Sequence, residues 1–139
     1  MRRISRKPKA NRRGAALVEF ALVAPIFLVC VVGSIEIGRA IMVQESLTNA
    51  SREGVRVGIL DGAMSSDVTT AVNNYLSGVS ISGANTSVSP ADPGTQPEGT
   101  QVTVSVSISY SNVSWVPSPW FLKNQTLTAT SVMARQTTQ

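Results

Sequence analysis

Histidine is absent from this 139-residue chain, and cysteine occurs once, at Cys30. Without histidine, Ser-His-Asp and Cys-His catalysis and ordinary zinc sites are excluded. A lone cysteine closes no intramolecular disulfide and completes no Cys-pair metal site, and in an apolar stretch a thiol behaves as a small hydrophobe. Aromatic residues make up only 5% of the chain, too few for a stacking platform of interleaved basic and aromatic side chains. The sequence also lacks a phosphate-binding glycine loop and a paired-carboxylate metal set. These absences argue against an enzyme, against a cofactor or metal, and against a small-molecule substrate.

The net charge of +4 invites a nucleic-acid reading until it is mapped along the chain. Arg2, Arg3, Arg6, Lys7, Lys9, Arg12 and Arg13 all precede Gly14, which leaves five basic and eight acidic residues in the remainder. The basic character is a property of the N-terminal tail, and the body is acidic. No nucleic-acid partner is expected.

What the chain does have is one long apolar run, from Ala15 to Ile35, in which Glu19 and Ser34 are the clearly polar members. As a helix rising about 1.5 Å per residue it covers roughly 30 Å, the thickness of a bilayer's hydrocarbon core. The hundred or so residues that follow are too poor in large side chains to surround a helix apolar on every side. A membrane span is the reading, and the basic cluster before it sets the N-terminus in the cytoplasm by the positive-inside bias. The body then lies outside.

Such a run can be a cleaved secretory signal, a permanent anchor or a prepilin-type signal. A secretory signal ends in a small-x-small cleavage site, and Val32-Gly33-Ser34 is a poor match. A plain anchor explains the length and the flanking charge but leaves Glu19 unexplained. A carboxylate in an apolar span costs about 2.5 to 3.5 kcal/mol near the bilayer centre and less near its edge, so it asks for a partner or for access to water.

The stretch "RRGAALVEFALVAPIFL" resembles the processing region of a type IV prepilin, and with "NASREGVR" further on it resembles the TadE-like family of pseudopilins in tight-adherence (Tad) pilus systems. The resemblance spans about Gly14 to Arg56. A basic leader ends at Gly14, Ala15 and Ala16 are small, Glu19 and Phe20 stand fifth and sixth after the glycine, and Pro25 follows in the same register. The region beyond adds only a weak echo in "LTATSVMARQ".

The resemblance implies that a prepilin peptidase cuts between Gly14 and Ala15 on the cytoplasmic side, with the catalytic residues belonging to that peptidase. It implies that Glu19 pairs with the new amine of Ala15, on the same or a neighbouring subunit, each charge offsetting the other's burial. Phe20 would stand beside it at the subunit contact. Pro25 would place a kink in the helix, since it removes one backbone donor. The implied partners are the peptidase, other pilins and pseudopilins, Tad assembly proteins and the inner membrane. The chain is longer than the very short major pilins of these systems, which tend to carry tyrosine where Phe20 stands, and a minor component is implied.

Beyond the run, Ala40, Val43, Leu47, Ala50, Gly54 and Val57 recur at spacings of three and four, which predicts an amphipathic extension of one helix to about Ile59. Glu36 and Arg39 are placed to pair on one face of it. "GVRVG" reads as the helix end leading to a turn at Asp61-Gly62. A short second helix carries Val68, Val72, Tyr75 and Leu76, with Ser65 or Ser66 as N-cap and Gly78 as stop. Val102, Val104, Val106, Ile108 and Tyr110 alternate with Thr and Ser as in a half-buried strand; "TLTATSVMAR" is a second, and Val79 to Ser89 a weaker third. The loop with Trp115, Trp120 and Phe121 is expected to plug one end of a thin core.

The fold expected is α+β: a long N-terminal transmembrane helix continuing into an amphipathic helix, packed on a small antiparallel sheet with one short helix. The organisation expected is a basic cytoplasmic leader (1–14), a transmembrane segment (15–35), a helix extension (36–59) and a small extracytoplasmic domain (60–139). The function expected is that of a minor pseudopilin in the inner membrane, acting in assembly or initiation of a Tad-type pilus. The alternative is an unprocessed single-pass anchor displaying a small β-rich binding domain.

Overall fold

The structure, a computed structural model, describes residues 12–116 and 122–135. The chain is α+β, with a long helix α1 (Arg12–Gly58), a short helix α2 (Ser65–Gly78) and a three-stranded antiparallel sheet of β1 (Asn85–Ser89), β2 (Gln101–Ser109) and β3 (Thr126–Ala134) in spatial order β1-β2-β3. It divides into two compact units between Ser34 and Ile35. The basic residues from Arg2 to Lys9, and Trp120 and Phe121, lie outside the described residues.

In the first unit, α1 is unbroken through Pro25. Its apolar side chains stand exposed all round, Leu17, Phe20, Ile26 and Phe27 among them. The hydroxyl of Ser34 donates to the carbonyl of Cys30 at 2.9 Å, one turn back, and so needs no partner from another element. By length and composition this helix can cross a membrane.

The second unit builds its core from the period-2 and period-3.6 patterns together. Val102, Val104, Val106 and Ile108 of β2 are buried on one face, against Val43, Leu47, Ala50 and Val55 of α1 and Val68, Val72 and Leu76 of α2. Burying each of these larger side chains stabilises by about 1.5 to 3 kcal/mol. The other face is a hydroxyl surface, with cross-strand rows such as Ser87, Ser105 and Thr130, where Ser105 and Thr130 hydroxyls meet at 2.9 Å. One face apolar and one wet is the usual economy of an antiparallel sheet.

Gly54 and Gly58 are more than the helix end expected. A Cβ on Gly54 would stand 2.7 Å from a Val72 methyl and 3.2 Å from one of Val104; on Gly58 it would stand 3.2 Å from Val102 and from Val68. The "GVRVG" spacing is where α1 meets both α2 and β2, the small residues permitting the approach. A closer approach occurs at Gly94, where a Cβ would fall 2.0 Å from the Ala63 nitrogen. Gly94 exchanges backbone hydrogen bonds with the turn at Gly62 and Ala63.

Several local expectations are corrected. Met64, in extended conformation, stands at the N-cap of α2, and Asp67 caps the helix by accepting a hydrogen bond from the Met64 amide at 2.9 Å. Ser65 is already helical. The weak third strand is confined to Asn85–Ser89. Tyr110 leaves the strand pattern and opens a 3-10 turn while remaining fully buried. Tyr110 belongs to the buried core, and Trp115, the one described aromatic of the loop expected to plug it, is 64% exposed.

Candidate functional site

The residues singled out by sequence lie in order along the first turns of α1. Gly14 has open space where a Cβ would be, with nothing within 4 Å. Ala15, Glu19 and Phe20 are exposed, and no other described element covers them. Ala15 and Glu19, four apart, share one face of the helix, the spacing at which a positive group at the first position and a carboxylate one turn along can meet. Among the described residues Glu19 makes no hydrogen bond or ion pair. In the uncut chain the Ala15 nitrogen is a peptide nitrogen inside α1, so no ammonium is there for Glu19 to meet.

Beyond Ser34, α1 carries a second acidic group, Glu36, whose burial the sequence did not disclose. Glu36 is 2% exposed, and among the described residues neither carboxylate oxygen has a hydrogen-bond partner. It does not pair with Arg39, contrary to the spacing expectation. Arg39 donates from Nε to the Val113 carbonyl at 2.9 Å and lies over the Trp115 ring, 4.8 Å from its centroid. Tyr110 donates its hydroxyl to the backbone carbonyl of Glu36 at 2.8 Å. Burial raises the Tyr110 phenol above its ordinary range; the Ser114 hydrogen bond pulls it down, the Glu36 charge pushes it up and Arg39 lowers it. The turn from Tyr110 to Trp115 is thereby fastened to α1 at two points one helical turn apart.

Nothing in the described residues assembles chemistry of another kind. No group of three or more Asp, Glu or Cys side chains capable of holding a metal ion occurs among them. A shallow surface groove is lined by Gln44, Glu45, Thr48, Asn49 and Arg52, successive positions of one helix face rather than a convergent set. Cys30 is exposed on the apolar part of α1. What each unit offers is surface for association: in the first, a bare apolar helix with a carboxylate near its start; in the second, a polar sheet face.

Residues 14–56 match the family model described as TadE-like protein, the stretch that carries the sequence resemblance. No curated protein and no solved structure matches the chain.

Proposed function

Starting from the TadE-like character of residues 14–56, we propose that the protein is a minor pseudopilin of a Tad-type pilus. The family match and the apolar N-terminal helix fit a Tad pilus-related membrane protein. In the finer reading, residues 1–14 are a cytoplasmic leader, 15–35 cross the inner membrane, 36–59 extend the helix and 60–139 form the outer domain. A prepilin peptidase removes the leader after Gly14, and the trimmed chain joins other pilins through its helix. The protein is a substrate and a structural component.

The observation that supports this most is the register in which Gly14, Ala15 and Glu19 stand exposed at the start of an uncovered apolar helix. Cutting after Gly14 would make Ala15 the first residue of α1. Its ammonium would add to the positive end of the helix macrodipole, with the Glu19 carboxylate one turn along on the same face. The charge that is costly in the intact span thereby gains a partner through processing. Bare apolar surface on every side of the helix is what a bilayer first, and neighbouring pilin helices later, would cover.

The test is the mass and N-terminal sequence of the mature protein from cells with and without a prepilin peptidase. A chain beginning at Ala15 only when the peptidase is present is the expected result. An intact N-terminus in both would leave an unprocessed anchor displaying a small domain, and a start near Ser34 would mean a secreted protein.

A further inference from the structure

Arg39 follows Ile35, the end of the apolar run, by four positions, about 6 Å of helix rise. Headgroup and interfacial regions take a bilayer from about 30 Å of hydrocarbon to about 40 to 45 Å overall, so each interfacial layer is about 5 to 8 Å deep. On the membrane-spanning reading proposed above, on which this inference rests, the Arg39 guanidinium stands at the depth of the lipid phosphates. Trp115 stands there with it, because the guanidinium covers one face of its ring at 4.8 Å.

The pair is built rather than incidental. Arg39 is oriented by its Nε hydrogen bond to the Val113 carbonyl, and the turn that carries Val113 and Trp115 is held to α1 by the Tyr110 hydroxyl on the Glu36 carbonyl. Val113 and Ser114 amides both donate to the Tyr110 carbonyl at 3.0 Å, and the Val116 amide donates to the Ser114 hydroxyl. With Nε committed inward, both η nitrogens of Arg39 have no hydrogen-bond partner among the described residues. An indole left 64% exposed beside them is a costly surface in water and a favourable one at a membrane interface, where aromatic rings with one polar edge collect. Glu36, the nearest acidic side chain on the helix, is closed off from solvent and does not compete for an anion there. Ile37, Ile41 and Met42 remain exposed at the same level and extend the apolar surface beyond Ile35, as an interfacial layer requires.

We propose that Arg39 and Trp115 form a phospholipid-headgroup site on the leaflet facing the C-terminal domain, with the η nitrogens donating to the lipid phosphate diester and the indole lying at the glycerol level. A guanidinium presents two parallel N–H donors that match a phosphate, and the stacked ring keeps that fork planar and oriented. The outer domain is then held down on the membrane by a contact separate from the spanning helix, and the contact must be broken when the subunit leaves the bilayer.

The experiment uses the full chain, with Trp120→Phe so that Trp115 is its single indole, reconstituted in vesicles of phosphatidylethanolamine and phosphatidylglycerol. The vesicles contain lipids brominated either near the acyl carbonyls or near the chain ends. Flotation reports insertion, and quenching of Trp115 reports its depth. The expected result is a chain that floats, quenching several-fold stronger from the shallow bromines than from the deep ones, and weak quenching by aqueous iodide. Arg39→Ala should float equally well and lose the preference for shallow bromines, with Arg39→Lys between. Floating with strong iodide quenching and none from either lipid would overturn the headgroup site while sparing the span. Protection from both quenchers that appears only at high protein-to-lipid ratio would overturn it in favour of a neighbouring protein chain. Failure to float would overturn the span and this site with it. If Trp120→Phe perturbs the loop, the same component is read as the difference between the unaltered chain and its Trp115→Phe variant.

Discussion

The Tyr110 hydroxyl donates a 2.8 Å hydrogen bond to the main-chain carbonyl of Glu36, joining the end of β2 to α1 across 74 positions of sequence. The carbonyl belongs to an unbroken helix and keeps its helical acceptor role, so removing the phenol leaves no orphaned acceptor. Tyr110→Phe should therefore cost only about 1 kcal/mol, the ordinary net worth of a hydrogen bond. Urea unfolding of the detergent-solubilised chain measures this, and a loss above about 3 kcal/mol would mean that the hydroxyl does more than bond one carbonyl.

The same phenol makes stability sensitive to alkali. Its folded pKa is raised, first by burial, above the unfolded value near 10. The protonated form is favoured in the folded state, so the contribution is complete below pH about 10 and falls away as pH rises from there through the folded pKa. Unfolding midpoints should drop above that pH in the unaltered chain and drop less in Tyr110→Phe. Parallel curves for the two chains would refute the assignment.

Glu36 is a buried carboxylate without a donor among the described residues, and replacing it should help rather than harm. Glu36→Leu, of similar volume, is expected to stabilise by about 1 to 3 kcal/mol, the penalty of an unsatisfied buried polar group. Glu36→Gln keeps a buried polar head and should gain less. A destabilised Glu36→Leu chain, seen as a lower urea midpoint, would show that the carboxylate has a partner.

Two glycines of α1 should respond in opposite senses. Gly54→Ala pushes a methyl to within 2.7 Å of Val72, and overpacking at such a contact costs about 1 to 3 kcal/mol. Gly38 has open space at the same atom, and Gly38→Ala should gain about 0.5 to 1 kcal/mol from helix propensity. Equal effects on thermal midpoint at the two positions would contradict the packing described.

For Glu19, the proposed pairing with the Ala15 amine is tested by Glu19→Gln. Membrane flotation should be unchanged, since the amide is easier to insert than a carboxylate. Copurification with partner pilins should fall. Unchanged copurification of a correctly cut Glu19→Gln chain would remove the pairing role.

Much of the fold was legible because it is written in periodicities. The apolar run and the three-four spacing to Val57 foretold α1, and strict alternation from Val102 to Ile108 foretold β2 with its buried and hydroxyl faces. At the start of α2, Ser65 and Ser66 offer the usual N-cap chemistry, but Asp67 supplies the cap from inside the helix. Helical spacing points to a Glu36–Arg39 pair, but it says only that two side chains are near each other. It does not say that Val113 and Trp115, from a distant turn, will take Arg39 as their partner while Glu36 is buried.

Sequence alone determined the local properties of this protein: a helix apolar on all sides with one carboxylate near its start, and a strand whose faces differ. Each follows from side chains a few residues apart, whose relative positions are set by helix and strand geometry before any folding. Tertiary structure decided what depends on approach between distant segments. Gly54 is a packing surface because Val72 and Val104 come to it, Glu36 is buried while its main-chain carbonyl accepts from Tyr110, and Arg39 bonds the Val113 carbonyl and lies over the Trp115 ring. Those partners lie between 18 and 76 positions away, beyond the reach of any pattern of a few residues.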